Sequence, residues 1–331
     1  MESLLNHNTF GIDCCCRKIY EPETAEELVA LLPELRQAPL LVIGGGSNLL
    51  FTKDFDGNVL HPQMRGIEVR REDGDSVQLR CGAGEVWDDV VAYAVEHGYY
   101  GMENLSLIPG EVGASAVQNI GAYGAEAKDV IYAIEAVDIT TGEGRIFFND
   151  DCAYGYRESK FKGEWKGQYV ITYVTYQLSK TFTPHLDYGN LRSVLAEKNI
   201  AEPTAADVRQ AVIEIREAKL PDVKVEGNAG SFFKNPVVSR EKYEALQAEY
   251  PQMPHYNVDA EHEKIPAGWM IDQCGWKGKT LGHAGVHSKQ ALVLVNKGGA
   301  TGSEIVELCE AVRKDVLEKF EVEIEPEVNI I

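Results

Sequence analysis

A short apolar strand that runs directly into a glycine cluster constrains this chain more than any other feature. The pattern predicts a strand over residues 40–43, and Gly44, Gly45 and Gly46 follow it at once. Glycines carry no side chain, so their backbone N–H groups can approach a ligand closely. The dinucleotide fingerprint G-x-G-x-x-G is not completed, because its third glycine position is Leu49. The loop therefore suits a pyrophosphate, and a plain tight turn is the alternative.

A second glycine-rich tract covers residues 108–124. Its polar residues and helix breakers predict a long binding loop rather than an ordinary helix. Two separated loops rich in Gly, Ser and Asn could hold one long diphosphate cofactor from both sides through backbone donors. We therefore expect FAD, bound non-covalently, because neither loop places a His or Cys as an obvious covalent tether. Two unrelated structural loops are the alternative.

A third cluster combines glycines with cations over residues 227–236. Lys234 lies within it, and Arg216, Lys219 and Lys224 lie just upstream. Cationic side chains beside glycines indicate an anion site that a nucleotide diphosphate would fill. Ordinary solvated surface charges are the alternative. Tyr188 could cover such a site, although packing in a core is the commoner fate of a single Tyr.

The composition limits the partners that the chain can have. Its 331 residues exceed the usual size of one hydrophobic core and predict two or three packed subdomains. The formal net charge of −20 repels nucleic acid and anionic lipid surfaces. Any anionic substrate must then be held by a local basic pocket. We expect small-molecule ligands, and the sequence indicates no obligate protein partner.

The N-terminus and the cysteines indicate a cytoplasmic protein. The first residues lack the basic start and apolar core of an export signal, and no apolar run reaches membrane-spanning length. The seven Cys include no C-x-x-C pair, which argues against a disulfide framework and against a zinc site. We expect no metal, and we interpret Cys14, Cys15 and Cys16 as small buried strand residues.

Local signals predict several helices and strands. Capping pairs start helices at Thr24 and Glu27, at Thr204 and Asp207, and at Thr301 and Glu304. An amphipathic helix is predicted over residues 87–97, and Pro221 stops the helix that begins at Thr204 just after Lys219. Strands are predicted over residues 75–82, 130–148 with a turn at 140–142, and 322–331.

Seven motifs occur in register along the whole chain, and together they identify a family resemblance. The motifs are Asn8-Thr9-Phe10-Gly11, Gly45-Gly46-Ser47-Asn48, Ile108-Pro109-Gly110, Gln118-Asn119-Ile120-Gly121-Ala122-Tyr123-Gly124, Tyr156-Arg157-Glu158-Ser159, Gly230-Ser231-Phe232-Phe233-Lys234-Asn235-Pro236 and Glu325-Pro326-Glu327-Val328. On these motifs the chain resembles the UDP-N-acetylenolpyruvoylglucosamine reductases from residue 8 to residue 328, and the stretch around Tyr188 resembles the longer form with a tyrosine-bearing loop.

The resemblance implies an α+β architecture. Two small α/β subdomains of the vanillyl-alcohol-oxidase and p-cresol-methylhydroxylase type would bind FAD, and a third α+β domain would bind substrate. We expect residues 1–64 with 320–331 in the first FAD-binding subdomain, 65–218 in the second, and 219–319 in the substrate-binding domain.

The resemblance also implies a reaction. NADPH would reduce the flavin and leave, and UDP-N-acetylglucosamine enolpyruvate would then be reduced to UDP-N-acetylmuramate for peptidoglycan synthesis. By similarity, Ser231 is the proton donor, Arg157 holds the substrate carboxylate and Glu327 stabilises the enolic intermediate. Taken alone, each residue also has a structural explanation: a turn for Ser231, an ion pair for Arg157, and a solvated strand position for Glu327. Asn329 stands where the family leads us to expect a basic residue.

The remaining site residues follow from the same resemblance. The cofactor-binding residues would be Gly44, Gly45, Gly46, Ser47, Asn48, Leu49, Ile108, Pro109, Gly110, Ser115, Asn119, Ile120, Gly121, Tyr123 and Gly124. The substrate-binding residues would be Tyr188, Arg216, Lys219 and Asn235.

Two other functions remain possible on the sequence. A flavin oxidase of the same superfamily would use oxygen in place of NADPH and would oxidise an alcohol. A flavin- or nucleotide-sugar-binding protein would bind the same ligands without turnover, although the presence of all three predicted catalytic residues argues against an inactive site.

Overall fold

The computed structural model describes residues 1–331, and the chain forms two compact units. The first unit contains residues 1–2, 16–45 and 56–218, and the second contains residues 3–15, 46–55 and 219–331. The chain passes into the second unit for the last time between Ala218 and Lys219. The division into three domains stays a prediction. None of the helices has both the length and the apolar character that crossing a membrane requires.

Eight α-helices and twenty strands make up the regular structure. The helices are α1 Ala25–Leu35, α2 Trp87–Glu96, α3 Val112–Gln118, α4 Leu191–Glu197, α5 Ala205–Lys219, α6 Arg240–Glu249, α7 Ala267–Gln273 and α8 Gly302–Phe320. The strands are β1 Glu2–Ser3, β2 Cys15–Tyr20, β3 Leu40–Val42, β4 Leu49–Leu50, β5 Phe55–Leu60, β6 Ile67–Glu72, β7 Ser76–Gly82, β8 Gly121–Ala122, β9 Ala125–Glu126, β10 Ile131–Asp138, β11 Gly144–Phe148, β12 Tyr169–Ser179, β13 Gly227–Asn228, β14 Val237–Ser239, β15 Tyr256–Asn257, β16 His262–Lys264, β17 Thr280–Leu281, β18 Ala284–Val286, β19 Leu294–Asn296 and β20 Asn329–Ile330.

The first unit is built on an antiparallel five-stranded sheet in the order β11-β10-β12-β7-β6. Residues of its central strands β10, β12 and β7 are buried against α2 and α3, where Trp87 packs edge-on against Tyr176 with ring centroids 5.8 Å apart. A second sheet, β1-β2-β5-β3, packs against α1 through Leu28, Leu32 and Leu35. Its strands β3 and β5 run parallel. The first glycine segment begins just after β3 of this second sheet.

The second unit contains smaller sheets around α8. Antiparallel strands form the orders β13-β19-β18-β17 and β14-β16-β15, and β20 pairs in parallel with β4. Helix α8 buries an apolar face, as its heptad-like spacing predicts. The buried residues of that face are Ile305, Leu308, Cys309, Val312, Val316 and Phe320.

The capping signals are confirmed. Thr24 Oγ1 accepts the Glu27 N–H at 3.1 Å, and Thr301 Oγ1 accepts the Glu304 N–H at 3.2 Å while the Glu304 carboxylate accepts the Thr301 N–H. Thr204 Oγ1 similarly accepts the Asp207 N–H at 3.2 Å. Each hydroxyl therefore satisfies a first-turn N–H that has no partner within the helix.

Two secondary-structure predictions are wrong. The glycine tract at residues 108–124 is not a continuous loop, because it contains α3. Val112 and Ala116 are fully buried, and a Cβ added at Gly113 would lie 3.0 Å from that of Ala83. Close packing on the sheet thus compensates for low helix propensity. At the C-terminus only Asn329–Ile330 forms a strand.

Candidate active site

The first glycine loop approaches the second glycine tract within the first unit. A Cβ added at Gly44 would lie 3.2 Å from both Ala114 Cβ and Glu111 Oε2, and one added at Gly45 would lie 3.7 Å from Gly110 Cα. The loop leaves the sheet immediately after Ile43, whose N–H still donates to Leu60 at 2.9 Å. Only residues without side chains allow two backbones to lie so close.

The backbone donors of these segments fit a diphosphate. The N–H groups of Gly44, Gly45 and Gly110 donate to no acceptor within the protein. Backbone N–H groups of neighbouring residues that converge without side chains form a site for phosphate oxygens. The two segments therefore fit the diphosphate of FAD, the cofactor expected from the sequence.

A largely buried ion pair of His61 and Glu111 lies beside the place where the two glycine segments come close together. His61 Nε2 lies 2.9 Å from Glu111 Oε1, and Nδ1 lies 3.1 Å from Glu21 Oε1. Burial by itself would lower the pKa of His61, but its hydrogen bonds to Glu111 and Glu21 outweigh burial and raise that pKa. Because Glu111 also contacts Gly44, the pair fixes the start of α3 against the glycine loop.

Two predicted cofactor residues direct their side chains into the protein. The Ser115 hydroxyl donates to Val112 O at 2.7 Å and lies 3.2 Å from Tyr176 Oη. The Asn119 amide donates to Gly155 O at 2.8 Å, and its Oδ1 accepts the Lys128 N–H at 3.0 Å. Asn119 itself adopts a left-handed backbone with φ 44° and ends α3. These side chains shape the tract from within, so any cofactor contact from them involves the backbone.

Arg157 lies against the second glycine tract. Its Nη2 donates to Gly121 O at 2.6 Å and its Nη1 to Asn119 O at 3.3 Å. A Cβ at Gly121 would lie 2.7 Å from Nη1, so the absence of a side chain there makes room for the guanidinium. Arg157 also has a left-handed backbone with φ 57°. The structure thus brings one predicted catalytic residue to the predicted cofactor residues of its own unit.

Ser231 and Glu327 lie on neighbouring segments of the second unit. The Glu327 N–H donates to Phe232 O at 2.7 Å, the Lys234 N–H donates to Glu325 O at 2.9 Å, and an antiparallel bridge joins Phe233 to Pro326. Phe232 and Phe233 are buried, whereas Ser231 is exposed. This backbone pairing holds together the two segments that carry the predicted proton donor and the predicted carboxyl group.

The end of the first glycine loop joins the same segment. Asn48 Nδ2 donates to Glu327 O at 3.4 Å, and Asn48 O accepts from the Asn329 backbone at 3.1 Å and from Asn329 Nδ2 at 3.2 Å. Leu49 pairs with Asn329 in the parallel ladder. Asn329, which replaces an expected basic residue, is therefore a structural link between the loop and the strand of Glu327.

The predicted substrate residues differ in their surroundings. Tyr188 is 37% exposed and Lys219 is exposed at the end of α5. Asn235 Oδ1 accepts the Ala267 N–H at the start of α7 at 2.9 Å. Burial lowers the pKa of Arg216, whose Nε donates to Leu107 O at 3.2 Å. Arg216 thus holds the residue before the second glycine tract.

Residues that the sequence did not single out support the same tract. Asp88 accepts the Leu107 N–H at 2.5 Å and forms a bidentate pair with Arg209 at 2.7 and 2.9 Å. Asn104, which is 2% exposed, donates to Tyr123 O at 2.8 Å and to His185 O at 2.9 Å. No local pattern marks these residues, because their partners are distant in the chain.

Comparisons with known proteins agree with this geometry. Residues 17–147 match the family model of an FAD binding domain, and residues 221–331 match that of the UDP-N-acetylenolpyruvoylglucosamine reductase C-terminal domain. The chain is similar to the UDP-N-acetylenolpyruvoylglucosamine reductase of Bacteroides fragilis (strain YCH46), at 55% identity over 99% of this chain and 98% of the relative. The reductase of Flavobacterium johnsoniae is 47% identical over the same shares of the two chains.

A solved structure shares the fold. The crystal structure of the UDP-N-acetylenolpyruvylglucosamine reductase from Thermus caldophilus matches 99% of this chain and 96% of its own, with a TM-score of 0.67 at 23% identity. Together with the FAD binding domain, this confirms the predicted α+β fold of the vanillyl-alcohol-oxidase type. The chain is an FAD-dependent oxidoreductase, and it belongs to the UDP-N-acetylenolpyruvoylglucosamine reductase family.

Proposed function

We propose that this enzyme reduces UDP-N-acetylglucosamine enolpyruvate to UDP-N-acetylmuramate with electrons from NADPH, as a step of peptidoglycan precursor synthesis. The names of its relatives and the FAD binding domain support the reduction. When bound, FAD would take hydride from NADPH and pass it to the enolpyruvyl methylene carbon, in two half-reactions that make the scheme ping-pong. The protein then has to bind, orient and protonate the substrate.

One observation carries the proposal: the backbone pairing between the segment of Ser231 and the segment of Glu327. The Glu327 N–H to Phe232 O bond, at 2.7 Å, fixes the register of the two segments. Asn48 joins them at the end of the glycine loop. A hydroxyl and a carboxyl group thus lie on segments that are tied to a predicted cofactor loop, as protonation of a reduced substrate requires.

Ser231 is the proposed proton donor. Its left-handed neighbour Gly230, with φ 70°, and the buried Phe232 leave its side chain on an exposed position. A neutral hydroxyl is a weak acid, but the enolate of a carboxylate is basic enough to take its proton. Glu327 is the proposed stabiliser of that enolate.

Arg157 is the proposed holder of the substrate carboxylate. A planar guanidinium matches a carboxylate through two parallel hydrogen bonds. Two backbone carbonyls, those of Asn119 and Gly121, fix the orientation of this guanidinium. The proposed role therefore requires no reorganisation of the long side chain when substrate arrives.

The nucleotide part of the substrate is assigned to Tyr188, Arg216, Lys219 and Asn235. Tyr188 and Lys219 are exposed, so both can reach a ligand. The amide oxygen of Asn235 is engaged with Ala267, and its N–H groups remain available as donors. Such local donors and cations overcome the repulsion that a net charge of −20 exerts on an anionic substrate.

The test separates the two half-reactions of the purified FAD-loaded enzyme. In Ser231→Ala, NADPH should bleach the flavin absorbance at the wild-type rate. Reoxidation of the flavin by the enolpyruvyl substrate should slow by about 10²–10⁴-fold, the usual contribution of a general acid. Ser303→Ala, on an exposed position in the first turn of α8, is the matched control and should leave both rates unchanged.

Two outcomes contradict the proposal. If Ser231→Ala slows both half-reactions equally, Ser231 is not the proton donor. If the wild-type enzyme oxidises NADPH no faster when the enolpyruvyl substrate is present, the proposed reaction is wrong.

A further inference from the structure

The side chain of Asn104 joins two segments of the first unit that the sequence leaves unconnected. Its amide nitrogen donates one hydrogen bond to Tyr123 O at 2.8 Å and one to His185 O at 2.9 Å. An Asn amide has two N–H groups, so both are used. Tyr123 belongs to the proposed cofactor tract, and His185 lies three residues before Tyr188.

Asn104 itself lies on a rigid support. It is the middle residue of a short 3-10 turn, Glu103–Leu105, and is 2% exposed. The buried Trp87 indole donates to Leu105 O at 2.8 Å, and the Ser106 hydroxyl donates to Glu103 O at 2.6 Å. The residues on either side of Asn104 are therefore held by hydrogen bonds at their carbonyl groups. The Asn104 amide is thus fixed in position when it donates to its two acceptors.

The two segments that Asn104 joins also pack closely on each other. A Cβ added at Gly124 would lie 3.3 Å from Tyr188 Cβ, and one added at Gly189 would lie 3.6 Å from the Tyr123 ring. Tyr123, Gly124 and Gly189 all have left-handed backbones, with φ between 47° and 82°. The position of Tyr188 thus depends on the turn at Tyr123 and Gly124.

The rest of the tyrosine segment is largely exposed. Residues 183–185 and 187–190 are exposed, and the side chain of Leu186 packs, partly buried, against the α4 and α5 cluster. Asp187 pairs with Arg192, but both side chains are more than half exposed, so solvent weakens that pair. The hydrogen bond from the buried Asn104 amide to His185 O therefore restrains the start of this segment from the protein side.

We propose that Asn104 is a positioning residue for substrate binding: it fixes the segment at residues 185–190 over the turn at Tyr123 and Gly124, so that Tyr188 meets the nucleotide substrate in one orientation. The inference rests on the proposed function, because it takes Tyr188 as a substrate contact. Asn104 acts through the backbone of its neighbours and is not itself a catalytic residue.

The test uses Asn104→Asp in the FAD-loaded enzyme. The substitution keeps the side-chain size, removes both N–H donors and sets carboxylate oxygens against two carbonyl oxygens. Asn149→Asp is the matched control, because the Asn149 amide also donates to two carbonyls of the first unit, Lys128 O at 2.7 Å and Ile131 O at 2.8 Å. Asn104→Ala is a second variant that removes the donors without adding a charge.

Limited proteolysis measures how firmly the segment is held. In both Asn104 variants chymotrypsin should cleave the native enzyme after Tyr188 up to about tenfold faster than in the wild-type enzyme, the factor expected when the one hydrogen bond to His185 O is lost. In Asn149→Asp cleavage after Tyr188 should proceed at the wild-type rate. Equal cleavage rates in the Asn104 and Asn149 variants overturn the inference.

Kinetics distinguish positioning from a general structural effect. The KM for the enolpyruvyl substrate should rise about tenfold in the Asn104 variants, while kcat, FAD content and flavin reduction by NADPH stay near wild type. An unchanged KM, or a loss of FAD equal to the loss of activity, also overturns the inference. A wild-type enzyme that does not reduce the enolpyruvyl substrate would instead refute the proposed function, a result that the wild-type assay alone reveals.

Discussion

Two glycines of the second unit share a backbone conformation but differ in the space around them. Gly46, in the first glycine loop, has φ 66°, and Gly11 has φ 64°. A Cβ added at Gly46 would lie 2.1 Å from His7 O and 2.9 Å from Asn8 Cα, whereas one added at Gly11 would meet nothing within 4 Å. Comparing Gly46→Ala with Gly11→Ala therefore separates backbone strain from steric overlap.

The expected magnitudes follow from these contacts. An Ala in the left-handed region costs about 1–2 kcal/mol, and the stiffer unfolded chain returns about 0.4–1 kcal/mol. Gly11→Ala should thus lower the free energy of unfolding by about 0.5–1 kcal/mol. Gly46→Ala carries the same backbone cost and two further costs: about 1–3 kcal/mol for overpacking, and about 1 kcal/mol for weakening a hydrogen bond. In the wild-type protein this bond, from Thr9 N–H to Gly46 O, is 3.2 Å long. The total for Gly46→Ala is about 2.5–5 kcal/mol.

Urea unfolding followed by tryptophan fluorescence measures the difference. With a slope of about 2 kcal/mol/M, the midpoint should fall by about 0.25–0.5 M in Gly11→Ala and by about 1.25–2.5 M in Gly46→Ala. Retention of FAD after dialysis should be lost only in Gly46→Ala, because Gly46 lies in the proposed cofactor loop. Equal midpoint shifts in the two variants would refute the reasoning, since the loop would then have moved away from His7 without cost.

Asp88→Asn should lower the free energy of unfolding, measured by urea titration, by about 2 kcal/mol. The reason is that Arg209, whose side chain is only 16% exposed, loses its carboxylate partner. A loss below about 0.5 kcal/mol would contradict the role assigned to this ion pair. Thr301→Ala should cost about 1 kcal/mol through the lost cap of α8, and an unchanged thermal midpoint would argue against it. Hydrogen bonds from the Thr301 backbone and then from His283 lower the pKa of Glu304 from 4.5 to about 2. Because this folded-state pKa is depressed, the stabilisation is present above pH 4.5 and is lost as the pH falls to about 2, so Glu304→Gln should unfold with a shallower acid dependence in that window.

Local signals in the sequence predicted the regular structure well where they were strong. Thr24 and Thr301 each precede an acidic residue by three positions, and helices begin directly after them. The strand before Gly44 and the helix at Trp87 were likewise predicted, because the spacing of apolar residues along the sequence indicates which face of each element is buried. Helix α3 was not, since its stability comes from Val112 and Ala116 packing on a sheet that sequence order does not reveal.

The candidate site divides in the same way. The sequence by itself determined the two glycine-rich segments, the choice of Ser231, Arg157 and Glu327 as candidates, and the family, because these depend on residue type and order along the chain. Only the tertiary structure decided that the segment of Ser231 pairs with that of Glu327, and that Asn104 joins Tyr123 to His185. Those contacts join residues far apart in the chain, and their hydrogen bonds form only when the packed layers bring donors and acceptors within about 3 Å of each other.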